Sequence, residues 1–485
     1  MKFSSITIAA VITIVMCAVT GTSAQEMSAE SGSSSSHSTN GRSVHRWKNS
    51  SGVSDFNIEM RGTIELTDDD KDIKSLSNDG YLEITKTVFG ARRQIIIESL
   101  GGGKIKKEYY EGRTKMEWDP NGRNWLGEIL PEIVRSTTLG AEGRVNRIFQ
   151  KGGAAAVLDE IDQLRGDYGK AHYAKLLLEK NIPSADMASV VSRIADDIHS
   201  DYYLASVYQN HVEKMLATTA SANAFYQGTQ RIGSDYYKSV VLKEALKKFS
   251  ASPAQIKTIL QSAASIKSDY YLSVVLSALL EEDNLKDESL TELIGVTANI
   301  PSAYYRSQIL GKALEKKGLS ARAQKELVGS LAGVSSDYYN TGVVTKMAER
   351  GSIDNNVQTE LIGLVSNSIS SDYYAATALK SILEHQQLND ASFKQVVIAG
   401  GKLNSANYSA EVLKRAARGD LKKEQLIELL NASGSINSDH YLSEVLTSVA
   451  PQVRDSDQSV KDAYRQAAKR IKNETYYGRA LKAID

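Results

Sequence analysis

Cysteine is all but absent. Cys17 is the only one among 485 residues, and it lies inside an apolar N-terminal run. Past that run no disulfide, thiol nucleophile or thiolate metal site is possible, so stability has to come from packing. An excess of charge is absent too. Lys plus Arg and Asp plus Glu number 58 each, for a formal net charge of zero. That balance argues against a nucleic-acid partner, whose phosphates need a surplus of Lys and Arg. The usual catalytic signatures are also missing. There is no HExxH, GxSxG, GxGxxG or GxxxxGK[ST], and therefore no motif-borne metal site, nucleophile or phosphate loop. The run Gly101-Gly102-Gly103-Lys104 lacks the following Ser or Thr and reads as a hairpin turn. The seven histidines (His37, His45, His172, His199, His211, His385 and His440) show no ligand spacing. No cofactor, no metal and no catalytic residue is expected, and the chain is not expected to be an enzyme. Proline is scarce at 6, while tyrosine reaches 24 against 7 Phe and 3 Trp. This is the composition of a helical scaffold with one recurring aromatic position.

The length allows two or three domains. Residues 1–24 carry Lys2, an apolar run from Ile6 to Val19 and the small residues Thr22-Ser23-Ala24. That pattern predicts a cleaved secretory signal peptide, too short for a typical membrane span. A secreted or periplasmic protein without an integral span in its mature chain is the expectation. Residues 25–46 are Ser-rich and polar and read as a disordered tether. From 47 to 138, runs such as YLEITKT, RQIIIES and KIKKEYYEG alternate apolar and polar residues between Gly and Asn-Asp turns. They predict a small antiparallel β domain of about five strands. NWLGEILPEIVRST, with Trp125, Ile129 and Ile133 on one face, predicts a closing helix. The acidic run Asp68-Asp69-Asp70-Lys71-Asp72 fails as a calcium loop, because Ile73 and Asp79 stand where Gly and Glu are needed. A solvated turn is expected there.

From 139 to 485 the chain repeats. The tetrapeptide SDYY occurs at 200–203, 234–237, 268–271, 336–339 and 371–374. Aligned on its Asp, the copies fall at Asp167, Asp201, Asp235, Asp269, Ala303, Asp337, Asp372, Ala406, Asp439 and Thr475, 33 to 36 residues apart and most often 34. Fixed-period self-similarity means stacked units. The Ser suits a helix N-cap and the Asp the positive end of a helix dipole. The second Tyr, such as Tyr271, lies one turn before Val275 and is expected in the core. The first Tyr is rotated about 100° away and is expected half-exposed. Tyr202, Tyr236, Tyr270, Tyr304, Tyr338 and Tyr373 are thus the candidate partner-binding residues, since tyrosine is enriched at interfaces.

The repeats resemble an αα-solenoid of the HEAT-like kind. The predicted fold class is mainly α, about ten 34-residue helical hairpins behind a small antiparallel β domain. YLEITKTVFGARRQIIIES, KEYYEG, NWLGEILPEIVRST and VLDEIDQL resemble uncharacterised secreted bacterial proteins associated with BlaR1/M56-type membrane metallopeptidases. The peptidase motif is absent here, so the resemblance implies no peptidase activity. The expected function is non-catalytic recognition of a protein or peptide partner by the solenoid, with envelope signalling as the expected setting. The alternative is a glycan-binding protein or enzyme with a site at the β domain or its junction with the repeats. Asp119, Arg123 and Glu128 with Trp118 or Trp125 would build that site.

Overall fold

The computed structural model describes residues 24–27, 32–39, 42–51, 54–283 and 285–485. The signal-peptide expectation, Cys17 included, lies outside the described residues apart from Ala24. The chain forms a helical-repeat solenoid preceded by a β domain, and it divides into two compact units, residues 1–207 and 208–485.

In the first unit, eight strands pair antiparallel in the order β1 (Ala24–Met27), β2 (Gly32–Thr39), β3 (Arg42–Ser51), β4 (Ser54–Arg61), β7 (Tyr81–Val88), β8 (Ala91–Gly101), β9 (Lys104–Glu111) and β10 (Thr114–Met116). A separate hairpin, β5 (Ile64–Leu66) and β6 (Ile73–Leu76), interrupts this meander. The stretch 25–46, expected as a tether, carries β1, β2 and part of β3. Its strands pair in a continuous register from Gly32↔Asn49 to Thr39↔Arg42, a backbone pairing that a Ser-rich sequence does not forbid. The core is read directly across the strands. Trp47 faces Ile58, Ile58 faces Ile84, Ile84 faces Ile95, and Ile95 faces Tyr109, all of them buried. The strand period of two puts this row on one face. Helix α1 (Arg123–Ser136) closes that face with Trp125, Leu126, Ile129, Leu130, Ile133 and Val134.

Helix α2 (Ala141–Gln163) follows and bends at Gly153, where φ is 66°. The repeats begin after it. Their first helices are Asp167–Leu178, Asp201–Asn210, Asp235–Lys248, Asp269–Leu280, Ala303–Ala313, Asp337–Glu349, Asp372–His385, Ala406–Ala416, Asp439–Arg454 and Glu474–Lys482. Nine of these ten starts coincide with the aligned register of the tetrapeptide, and the last differs by one residue. Second helices, such as Pro253–Ala263, Asp287–Val296 and Ala321–Leu331, alternate with them. Within the second unit, each first helix packs on the next first helix and each second helix on the next second helix. The stripe Leu272, Val275, Leu276 and Leu279, with its counterparts Ile309, Leu310 and Ala313, fills the space between the layers.

Candidate functional site

The tetrapeptide does more than begin helices. In the copies at Asp235, Asp269, Asp337, Asp372 and Asp439 the Asp reaches into the following repeat. Oδ2 of Asp235 accepts the backbone N–H of Ser268 at 2.8 Å, Asp269 that of Ser302 at 2.8 Å, Asp337 that of Ser371 at 2.8 Å and Asp372 that of Ser405 at 2.7 Å. Asp439 does the same for Asn473 at 2.8 Å. The carboxylate is therefore a staple between repeats as well as a charge at a helix start. The serine cap is correspondingly weaker than expected. Ser234, Ser302 and Ser336 accept the amide N–H of their second Tyr at 3.4–3.5 Å. Ser268, Ser371, Ser405 and Ser438 make no side-chain cap bond.

The six candidate tyrosines stand out as the expectation required. Tyr202, Tyr236, Tyr270, Tyr304, Tyr338 and Tyr373 are 48–63% exposed. The second tyrosines differ from expectation. Tyr271 and its equivalents are half-buried, because the first turn of the helix stands at the rim of the layer and the core stripe begins at Leu272. They lie between the exposed rings. Tyr270 packs edge-on against its own neighbour Tyr271 at 5.2 Å and against Tyr305 of the next repeat at 6.0 Å. Tyr304 repeats this with Tyr305 and Tyr339, and Tyr338 with Tyr339 and Tyr374. In the second unit the zigzag runs unbroken from Tyr237 to Tyr408. The first unit has its own short run of Tyr168, Tyr203 and Tyr202. Edge-to-face pairs of this kind hold rings in fixed orientations. The hydroxyls of Tyr236, Tyr270, Tyr304, Tyr338 and Tyr373 make no hydrogen bond among the described residues.

Sequence patterning did not reveal how the two outer helix faces are neutralised. On the first helices Lys346 pairs with Glu315 at 2.9 Å, Arg415 with Glu384 at 2.9 Å and Lys380 with Glu411 at 2.6 Å. The last two pairs line an open groove together with His385 and Arg418. On the second helices Lys325 pairs with Glu360 and Lys394 with Glu428. These partners are about one repeat apart in sequence, so a search within one helix misses them.

The rival constellation is not assembled. Trp125 points into the β-domain core, 5% exposed, against Tyr109. Asp119 and Arg123 satisfy each other at 2.5 Å on the surface, and Glu128 is exposed. The acidic run is not a free solvated turn either. Asp68 pairs with Lys151 at 2.9 Å, Asp70 with Arg144 at 2.9 Å and with Arg147, and Asp72 with Lys107 at 2.5 Å. Arg144 is 2% exposed and also bonds Glu160 and the Tyr173 hydroxyl. Phe89, at the β7–β8 tip, is exposed and left-handed at φ 46°, a feature that FGAR gave no hint of.

No known protein family matches the chain, and no curated protein is similar to it. Among solved structures, one from the computational design of self-assembling cyclic protein homooligomers is 13% identical, over 68% of this chain and 96% of that one, with a TM-score of 0.11. No helix among the described residues is long and apolar enough to cross a membrane.

Proposed function

We propose that the protein is a non-catalytic, secreted or periplasmic scaffold whose tyrosine edge recognises a protein or peptide partner. One observation carries this reading: exposed tyrosines recur at one position of successive repeats with their rings held, and among the described residues the hydroxyls of Tyr236, Tyr270, Tyr304, Tyr338 and Tyr373 are unspent. Tyrosine gives a large amphipathic contact area at low entropic cost. The adjoining helix faces tie several of their charges into ion pairs between repeats, such as Lys346–Glu315 and Lys394–Glu428, and so offer less to a partner. The resemblance to secreted proteins that accompany membrane metallopeptidases makes envelope signalling the first setting to examine. The test is a photo-crosslinking residue placed at Tyr270 and, as a control, at Lys394 on the second-helix face. The reading expects a discrete protein adduct at position 270 in the native envelope and none at 394. Adducts at 394 alone would move the binding surface to the other face. Fractionation that leaves the protein in the cytoplasm would remove the proposed compartment.

A further inference from the structure

Resting on that reading, we infer that the partner segment is a basic, proline-rich chain in the polyproline II conformation, laid along the edge from Tyr236 to Tyr373. Pitch is the first ground. Successive exposed rings are one helix-to-helix step apart, about 8–10 Å, each step bridged by two ring contacts such as 5.7 and 5.2 Å. A polyproline II chain turns once every three residues at about 3.1 Å each, about 9.3 Å per turn. Every third residue of such a chain therefore meets the same part of the next repeat. Surface chemistry is the second ground. The half-buried rings of Tyr271, Tyr305, Tyr339 and Tyr374 floor the troughs between the exposed rings, and proline rings dock between aromatic ridges. Polyproline II carbonyls have no internal hydrogen bonds, and the unspent tyrosine hydroxyls are donors for them.

Charge is the third ground. Asp235, Asp269, Asp337 and Asp372 each sit beside an exposed tyrosine. Among the described residues none of them makes an ion pair. Each spends Oδ2 on backbone N–H groups of the next repeat and leaves Oδ1 unbonded. Asp269 has Arg306 in its vicinity, but that guanidinium is taken up by the carbonyls of Ile300, Ala298 and Ser330. The edge thus carries a row of half-exposed carboxylates without cationic partners among the described residues, broken only at Ala303, and complementary to a Lys or Arg at every third position opposite the other repeats. The row of first tyrosines ends at Tyr373, since Asn407 takes the next place. Five exposed rings then span about four turns, or about 12 residues of ligand.

The experiment titrates the purified protein with synthetic peptides and reads binding by fluorescence anisotropy. The probe is Pro-Pro-Lys repeated four times; the comparisons are Gly-Gly-Lys and Pro-Pro-Glu at equal length, and Pro-Pro-Lys repeated twice. The expected result is saturable binding of the long Pro-Pro-Lys peptide, weakened at least tenfold in each comparison peptide. Tyr338→Ser alone, and Tyr236→Ser, Tyr270→Ser and Tyr304→Ser together, should weaken it while circular dichroism shows the helices intact. Should the triple variant unfold, the single variant decides. Equal binding of Gly-Gly-Lys would reduce the effect to charge, and equal binding of Pro-Pro-Glu would remove the role of the aspartates. Either result overturns the inference, as does binding of chitin oligosaccharides in place of every peptide. If no peptide binds while the crosslinked partner is still lost on tyrosine substitution, the inference falls and the tyrosine-edge reading stands. If the partner also survives substitution, both fall.

Discussion

At the scale of single residues, Asp269 shows how one side chain joins two repeats. Its carboxylate takes the amide N–H of Ser302. Where the repeat has Ala in that place, at Ala303 and Ala406, no such bond reaches the amides of Ser336 and Ser438. Asp269→Ala should therefore cost about 1–3 kcal/mol, the range for a donor left without its partner. Ala303→Asp should gain about 1 kcal/mol by supplying the missing acceptor. Denaturant titration of both variants checks the pair; a stabilising Asp269→Ala would contradict the staple. The tyrosines give a second comparison. Tyr271 is half-buried between two rings and Tyr270 about half exposed. Tyr271→Ala should destabilise by about 2 kcal/mol, short of the 3–5 expected of a fully buried aromatic. Tyr270→Ala should cost about 1 kcal/mol, mainly its two ring contacts. The alternation of exposure was legible in the sequence, because a helix turns about 100° per residue. The rim position of the first turn was not, because helical periodicity says nothing about where along its axis a helix enters the core. The staple was equally hidden, since its acceptor and donor are 33 or 34 residues apart.

At the scale of elements, the helix starts were legible because a 34-residue period samples the same local chemistry ten times. The strands before residue 47 were not, because Ser-rich segments carry no apolar alternation to announce them. Second-helix stacking was hidden for a related reason, as it depends on close backbone approach. Gly401 marks one such place. A Cβ there would stand 2.8 Å from the carbonyl oxygen of Ala432 in the next second helix. Gly401→Ala should therefore destabilise by about 1–3 kcal/mol through overpacking, although alanine favours an isolated helix by about 1 kcal/mol. A rise in thermal midpoint would show that this contact gives way easily. Between the β5–β6 turn and α2, Arg144 is buried among Asp70, Glu160 and Tyr173. Arg144→Met should cost about 3–5 kcal/mol, because the two acids then lose their buried cation. Removing Asp70 and Glu160 together with Arg144 should recover part of that loss, which a triple-variant melt would reveal.

At the scale of the whole molecule, the chain carries 58 acids and 58 bases, and ion pairs such as Lys346–Glu315, Lys380–Glu411, Lys325–Glu360 and Lys394–Glu428 join neighbouring repeats on both helix layers. Salt should consequently change stability little, since exposed pairs each contribute about 0–1 kcal/mol. What repeats without being neutralised or buried is the tyrosine edge, and the account turns on its serving recognition rather than folding. The most direct measurement is the yield of partner adduct from a photo-crosslinking residue at Tyr338, at matched folded protein, for two triple variants. One carries Tyr236→Ser, Tyr270→Ser and Tyr304→Ser; the other carries Tyr237→Ser, Tyr271→Ser and Tyr305→Ser. The account predicts that the first keeps a melting temperature closer to that of the unsubstituted protein and loses the partner adduct, while the second loses more stability. A first variant that retains the adduct in full, or that unfolds as readily as the second, would contradict it.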